Sequence, residues 1–137
     1  MARLLLLEDN ADRRAGLVSG GRGLGLGDPV CWSSAVRMIE EMEGYLADAE
    51  LISLDHDLYP MDSEQGDPGD GLMVARYLAT KSPACPVIVH SSNGDEARRM
   101  AGELDLAGWK VRRVLPFGTG WVENDWACVA RELLGMD

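Results

Sequence analysis

The chain is poor in cysteine, histidine and basic residues, and each shortage removes a class of protein. Cys31, Cys85 and Cys128 are odd in number, and no two have CxxC spacing. A disulfide framework and a zinc ribbon are therefore unsupported, and reduced, buried thiols in a reducing compartment are expected. Only 13 Lys and Arg stand against 23 Asp and Glu, for a net charge of −10. Duplex DNA needs concentrated positive charge to displace its counterions, so a duplex-binding surface is excluded, although a small nucleotide held by a local site is not. No apolar run is long enough to span a bilayer. The opening MARLLLLEDN lacks the small-residue cleavage site of a signal peptide and turns acidic at once. A cytoplasmic protein without membrane contact is the expectation, with this run as a first strand.

No repeat or linker divides the chain, and 137 residues suit one domain over residues 1–137. That length can bury a core without disulfides or structural metal. Branched apolar runs alternate with helical patterns, as in a parallel sheet covered on both faces. Strands are expected at 3–7, 29–32, 51–55, 86–90 and 109–115. The first helix, capped by Asn10 or Asp12, runs through Leu17 and should end at the glycine-dense SGGRGLGLGDP. The second, capped by Ser33 or Ser34, should bury Val36, Ile39, Met42 and Leu46. Asp70 caps a third helix, and two more cover 95–106 and 122–134. The result is a (βα)₅ α/β fold, a three-layer sandwich with parallel sheet order 2-1-3-4-5.

In such a sheet a ligand sits beyond the carboxyl ends of the strands. Glu8 and Asp9 close strand 1, Asp55, His56 and Asp57 close strand 3, and His90, Ser91 and Ser92 close strand 4. The two histidines of the chain thus fall on the edge that carries the acids. Imidazole titrates near neutral pH, so His56, His90 and Asp55 are the candidate catalytic groups. Glu8, Asp9, Asp55 and Asp57 brought together would repel one another, and a divalent cation with oxygen ligands, Mg²⁺ before Mn²⁺, would relieve them. Ser91, Ser92 and Asn93 open a helix and are candidate phosphate ligands; a plain helix cap is the competing reading. Alternation along a strand sets Ser91 and His90 on opposite faces. Trp121 and Trp126 are core anchors or line the site. Arg98 and Arg99 face a phosphate or simply solvent. The loop over 56–70 is long for a βα connection, a length associated with function.

These motifs resemble the receiver superfamily of two-component signalling, with its flavodoxin-like fold, over nearly the whole chain. Glu8-Asp9 matches the acidic pair after strand 1, Asp55 the phosphoacceptor, Asp70-Gly71 the pair opening the third helix, and Ser91 the switch hydroxyl. The resemblance sets Asp57 where a receiver offers a metal-contacting backbone carbonyl. It also implies a Lys before the proline that follows strand 5, and that position is Leu115. LDHDL together with VHSSN is similar to a divergent branch, the cyclic-phosphate processing receiver domains.

Two functions follow as expectations. The first is a metal-assisted phosphoesterase acting on a cyclic or terminal phosphate of a nucleotide or RNA end. One histidine would activate water and the other would protonate the leaving oxygen, or Asp55 would form an aspartyl phosphate. The alternative is a stand-alone receiver, phosphorylated on Asp55 or acting through a protein partner or homodimer.

Overall fold

The computed structural model describes residues 3–59 and 66–136. The part of the expected long loop at 60–65 lies outside them. Strands β1 (Arg3–Leu7), β2 (Val30–Trp32), β3 (Ala49–Leu54), β4 (Val87–Val89) and β5 (Val111–Arg113) form one parallel sheet. Their order is β2-β1-β3-β4-β5, as expected.

Register decides where the chemistry lies. Leu7 stands opposite both Trp32 and Leu54, and Leu54 stands opposite Val89. The strands therefore finish level. The next residues extend the ladder: Asp55 N–H donates to the Leu7 carbonyl at 3.1 Å, and His90 N–H to the Leu54 carbonyl at 2.9 Å. Glu8, Asp55 and His90 emerge side by side.

Helices α1 (Ala11–Gly23), α2 (Ala35–Glu41), α3 (Gly71–Ala79), α4 (Gly94–Leu106) and α5 (Ala127–Leu133) cover the sheet. Leu5, Leu7, Ile52, Leu54, Val87 and Val89 pack under α2, α3 and α4. Leu4, Leu6, Leu51 and Ile88 pack under α1 and α5. Side chains alternate across a strand, so this division also fixes the face of each residue that follows.

Three local expectations are corrected. α1 does not stop near Leu17 but continues through its glycines to Gly23. A Cβ on Gly20 would lie 3.1 Å from the Trp126 ring, and one on Gly21 would lie 3.1 Å from Leu4. The glycines let the helix approach β1 and the start of α5 closely, and that packing offsets their poor helix propensity. α2 buries Ala35 and Met38, followed by Met42, and leaves Val36 exposed. It gives way after Glu41 to two short 3₁₀ turns, so a face drawn through Leu46 does not exist. The last helix opens with a π-helical turn, Val122–Trp126, before α5.

Candidate functional site

Glu8, Asp9 and Asp55 come together at the carboxyl edge. One carboxylate oxygen from each can be chosen so that all three lie within 4.8 Å of one another. An all-oxygen donor set fits a hard divalent cation, which tolerates several carboxylates and prefers them to nitrogen or sulfur. Glu8 is fully buried and Asp55 nearly so, whereas Asp9 is half-exposed. Asp9 Oδ2 also accepts the Tyr59 N–H at 2.8 Å, which ties the strand 3 loop to the cluster. That loop borders a cavity of about 480 Å³ lined by Trp32, Ser33, Arg37, Glu41 and Tyr59, among others.

The electrostatics of the two buried acids diverge. Burial first, and the charge of Glu8 second, push the Asp55 carboxyl up to about 8, against the His56 N–H and the Arg13 charge. Burial also pushes Glu8 up, but the hydrogen bond and charge of His90, the Asn10 N–H and Asp55 outweigh it and hold Glu8 below the ordinary carboxylate range. The two acids are thus pushed in opposite directions, Asp55 toward its protonated form and Glu8 toward its ionised form.

His90 explains why Glu8 keeps the charge. It shares the face of Ile88 two residues earlier, and it points beneath the sheet edge rather than out of it. Its Nε2 lies 3.1 Å from Glu8 Oε1, and its Nδ1 lies 2.6 Å from Ser53 Oγ. Ser53 Oγ also accepts the indole N–H of Trp126 at 3.0 Å. A carboxylate only accepts, so Nε2 carries the hydrogen. Ser53, already accepting from Trp126, is free to donate to Nδ1. Every contact along the chain Trp126, Ser53, His90, Glu8 thus pairs a donor with an acceptor. Trp121 stacks on the His90 ring, with centroids 6.0 Å apart. The π-helical turn makes this possible: its wider turn brings residues five apart onto nearly the same face, so Trp121 and Trp126 both reach the His90–Ser53 pair. Such turns are frequent at functional sites.

His56 lies elsewhere. Its Nδ1 is 2.7 Å from Asp57 Oδ1, and its Nε2 is 3.3 Å from Glu96 and 3.8 Å from Asp70. The Glu96 and Asp70 contacts to the buried Nε2 are ion-pair distances without well-directed hydrogen bonds. The ring ties the end of β3 to the first turns of α3 and α4. The Asp57 carboxylate stands apart from the acid trio, bound by His56 and, at 3.5 Å, by Asn93 Nδ2. The His56 N–H donates to Asp55 Oδ1 at 2.8 Å, so backbone rather than imidazole meets the central acid.

Of the residues expected to hold phosphate, Asn93 caps α4 by accepting the Glu96 N–H at 3.3 Å. Ser91 is buried and accepts the Asn93 N–H at 3.1 Å, and Ser92 is exposed. Arg98 pairs with Asp95 and Arg99 with Glu96 on the helix surface. Sequence reading missed Ser53. Its signal was a hydroxyl inside an apolar strand, two residues before Asp55 and on the same face.

The family model for the cyclic-phosphate processing receiver domain matches residues 3–106. The chain belongs to that family. No curated protein matches it. Among solved structures, this cyclic-phosphate processing receiver domain is similar to a response regulator receiver domain from Rhodospirillum rubrum (TM-score 0.70, 14% identity, covering 98% of this chain and 95% of that one). It is also similar to the response regulator domain of Thermotoga maritima CheB (TM-score 0.66, 16% identity, 100% and 98% covered). A third is the CheX–CheY–BeF₃–Mg complex from Borrelia burgdorferi (TM-score 0.68, 12% identity, 93% and 87% covered). At these identities the likeness establishes the flavodoxin-like receiver fold. Among the described residues no helix is long and apolar enough to cross a membrane.

Proposed function

We propose that this receiver domain is a metal-dependent phosphoesterase that opens or removes a cyclic or terminal phosphate on a nucleotide or RNA end. The observation that carries the reading is the buried Glu8–His90 hydrogen bond beside Asp55. An acid trio alone serves phosphoryl transfer or metal binding, but an imidazole wired to one of its members gives the site a way to hold and return a proton.

Glu8, Asp9 and Asp55 would hold the cation, Mg²⁺ or Mn²⁺. When bound, it supplies positive charge for the phosphoryl oxygens as they develop charge. Asp55, freed of its proton, is the carboxylate that faces phosphorus, as nucleophile or as ligand. Glu8 exchanges a proton at Oε1 with His90 Nε2. Ser53 and Trp126 hold that ring at a fixed angle. Both imidazoles are buried, so in this reading His90 acts through Glu8, and His56 acts by fixing the backbone N–H that binds Asp55 Oδ1. Ser91, Ser92 and Asn93 border the phosphate at the start of α4. The cavity beside Tyr59 has the size of ordinary small-ligand sites, roughly 300–1,000 Å³, and gives room for the rest of a nucleotide.

The same trio supports a second reading: Asp55 as a phosphoacceptor in a stand-alone signalling protein that acts through a protein partner or homodimer. The two part on one experiment. The protein is incubated with Mn²⁺ and a panel of 2′,3′-cyclic and 3′,5′-cyclic nucleotides and RNAs with cyclic ends, beside Glu8→Gln and His90→Ala. Turnover that needs metal and falls in both variants supports the esterase. Stable labelling of Asp55 by acetyl phosphate, without turnover of any ester, leaves the signalling role.

A further inference from the structure

The acid site has a charge problem that the trio and a cation do not solve. Three carboxylates outweigh one divalent ion, so a phosphate arriving there still meets net negative charge, and another cation must face it. Most basic side chains around this edge are engaged. Arg14 Nη1 donates to the Glu8 carbonyl at 3.2 Å, and Arg37 Nε donates to Glu41 at 3.0 Å. Arg98 and Arg99 are paired on α4, and Arg112 Nη1 is 2.8 Å from Glu132. Two have no partner among the described residues: Arg113, exposed at the end of edge strand β5, and Arg13.

Arg13 is the better placed. It sits in the first turn of α1, four residues after Asp9. Its N–H donates to Asn10 Oδ1 at 2.9 Å, and the Asn10 N–H donates to Glu8 Oε2 at 3.1 Å, so two hydrogen bonds link its backbone to the acid cluster. Its side chain is half-buried, and no described residue binds its guanidinium. A half-buried arginine without a carboxylate partner among the described residues, in a chain of net charge −10, is unusual. Its charge also reaches the Asp55 carboxyl. Arg113 is two strands away from β3, at about 4.8 Å per strand.

We propose that Arg13 is the residue that grips the phosphoryl oxygens over Asp55; the assignment rests on reading the acid edge as a phosphate site. Guanidinium suits the task because its fork of donors matches two phosphoryl oxygens at once, which an ammonium does not.

The test measures Mg²⁺ alone, and then trifluoroberyllate in saturating Mg²⁺, on wild type, Arg13→Gln, Arg13→Lys and Arg113→Gln. Expected is at least a tenfold loss of trifluoroberyllate affinity in Arg13→Gln and a smaller loss in Arg13→Lys. Mg²⁺ affinity should be unchanged or tighter, and Arg113→Gln should match wild type. Melting temperature should hold in both Arg13 variants, because no described residue hydrogen-bonds or ion-pairs with its guanidinium. Wild-type affinity in Arg13→Gln, or a loss carried by Arg113→Gln instead, overturns the assignment while leaving the phosphate site intact. A wild type that binds Mg²⁺ but no trifluoroberyllate overturns both.

Discussion

Binding of Mg²⁺ should depend steeply on pH, because the central carboxyl holds a proton that the cation must displace. Burial and the Glu8 charge set Asp55 at about 8 in the metal-free protein. Below that value each cation bound releases one proton, and apparent affinity falls about tenfold for each pH unit, or about 1.4 kcal/mol. From pH 8, where half the carboxyl is already ionised, to pH 6 the loss is about 50-fold, and above pH 8 the curve flattens. Stability follows the same linkage. The folded state binds the Asp55 proton more tightly than the unfolded chain does, whose carboxyl titrates near the ordinary value of 3.8. The contribution is therefore full below about pH 4 and is lost as pH rises toward about 8. Mg²⁺ offsets that loss, so the rise in melting temperature it gives should grow with pH. Calorimetry at pH 6.5 in two buffers of different ionisation enthalpy counts the proton directly. Asp55→Asn should bind Mg²⁺ weakly and without pH dependence from 6 to 8. A flat wild-type affinity over that range, or no proton released at pH 6.5, would refute the reasoning.

Other consequences concern packing. His90→Ala strands a fully buried Glu8 and should cost roughly 3–5 kcal/mol in urea unfolding, with part recovered on adding Glu8→Gln; a cost below about 1 kcal/mol would show that the pair is not coupled. Gly71→Ala places a Cβ against the Asp55 carbonyl oxygen and 2.7 Å from Met100, so α3 must shift and stability should fall by about 1–3 kcal/mol. Gly94→Ala, at the equivalent start of α4, meets nothing within 4 Å and should be neutral or stabilising. Equal melting temperatures for the two glycine variants would contradict the close approach of α3 to Asp55.

Much of this was legible because a buried parallel sheet writes itself as apolar runs. Leu4 to Leu7, Leu51 to Leu54 and Val87 to Val89 are such runs, and each stops at its polar residue, so the acid edge and the strand order could be read together. What could not be read depends on contacts between distant segments. The glycines at 20 and 21 look like a turn until Trp126 and Leu4 are seen packed against them. The π-helical turn leaves no mark in sequence, yet it brings Trp121 and Trp126 to His90. Alternation did foretell that His90 and Ser91 part company. It could not tell that His90 would meet Glu8, which needs the register of three strands. Asp57 and His56 stand beside Asp55 in sequence, but the chain turns there and gives both side chains to α3 and α4.

The central claim is that this acid edge does ester chemistry, and phosphorus NMR of a 2′,3′-cyclic mononucleotide with the protein and Mn²⁺ tests it most directly. The account predicts a growing monoester resonance that chelator stops and that Asp55→Asn and Glu8→Gln lose. An unchanged cyclic resonance across the nucleotide and RNA panel, from protein that still binds Mn²⁺, would contradict it.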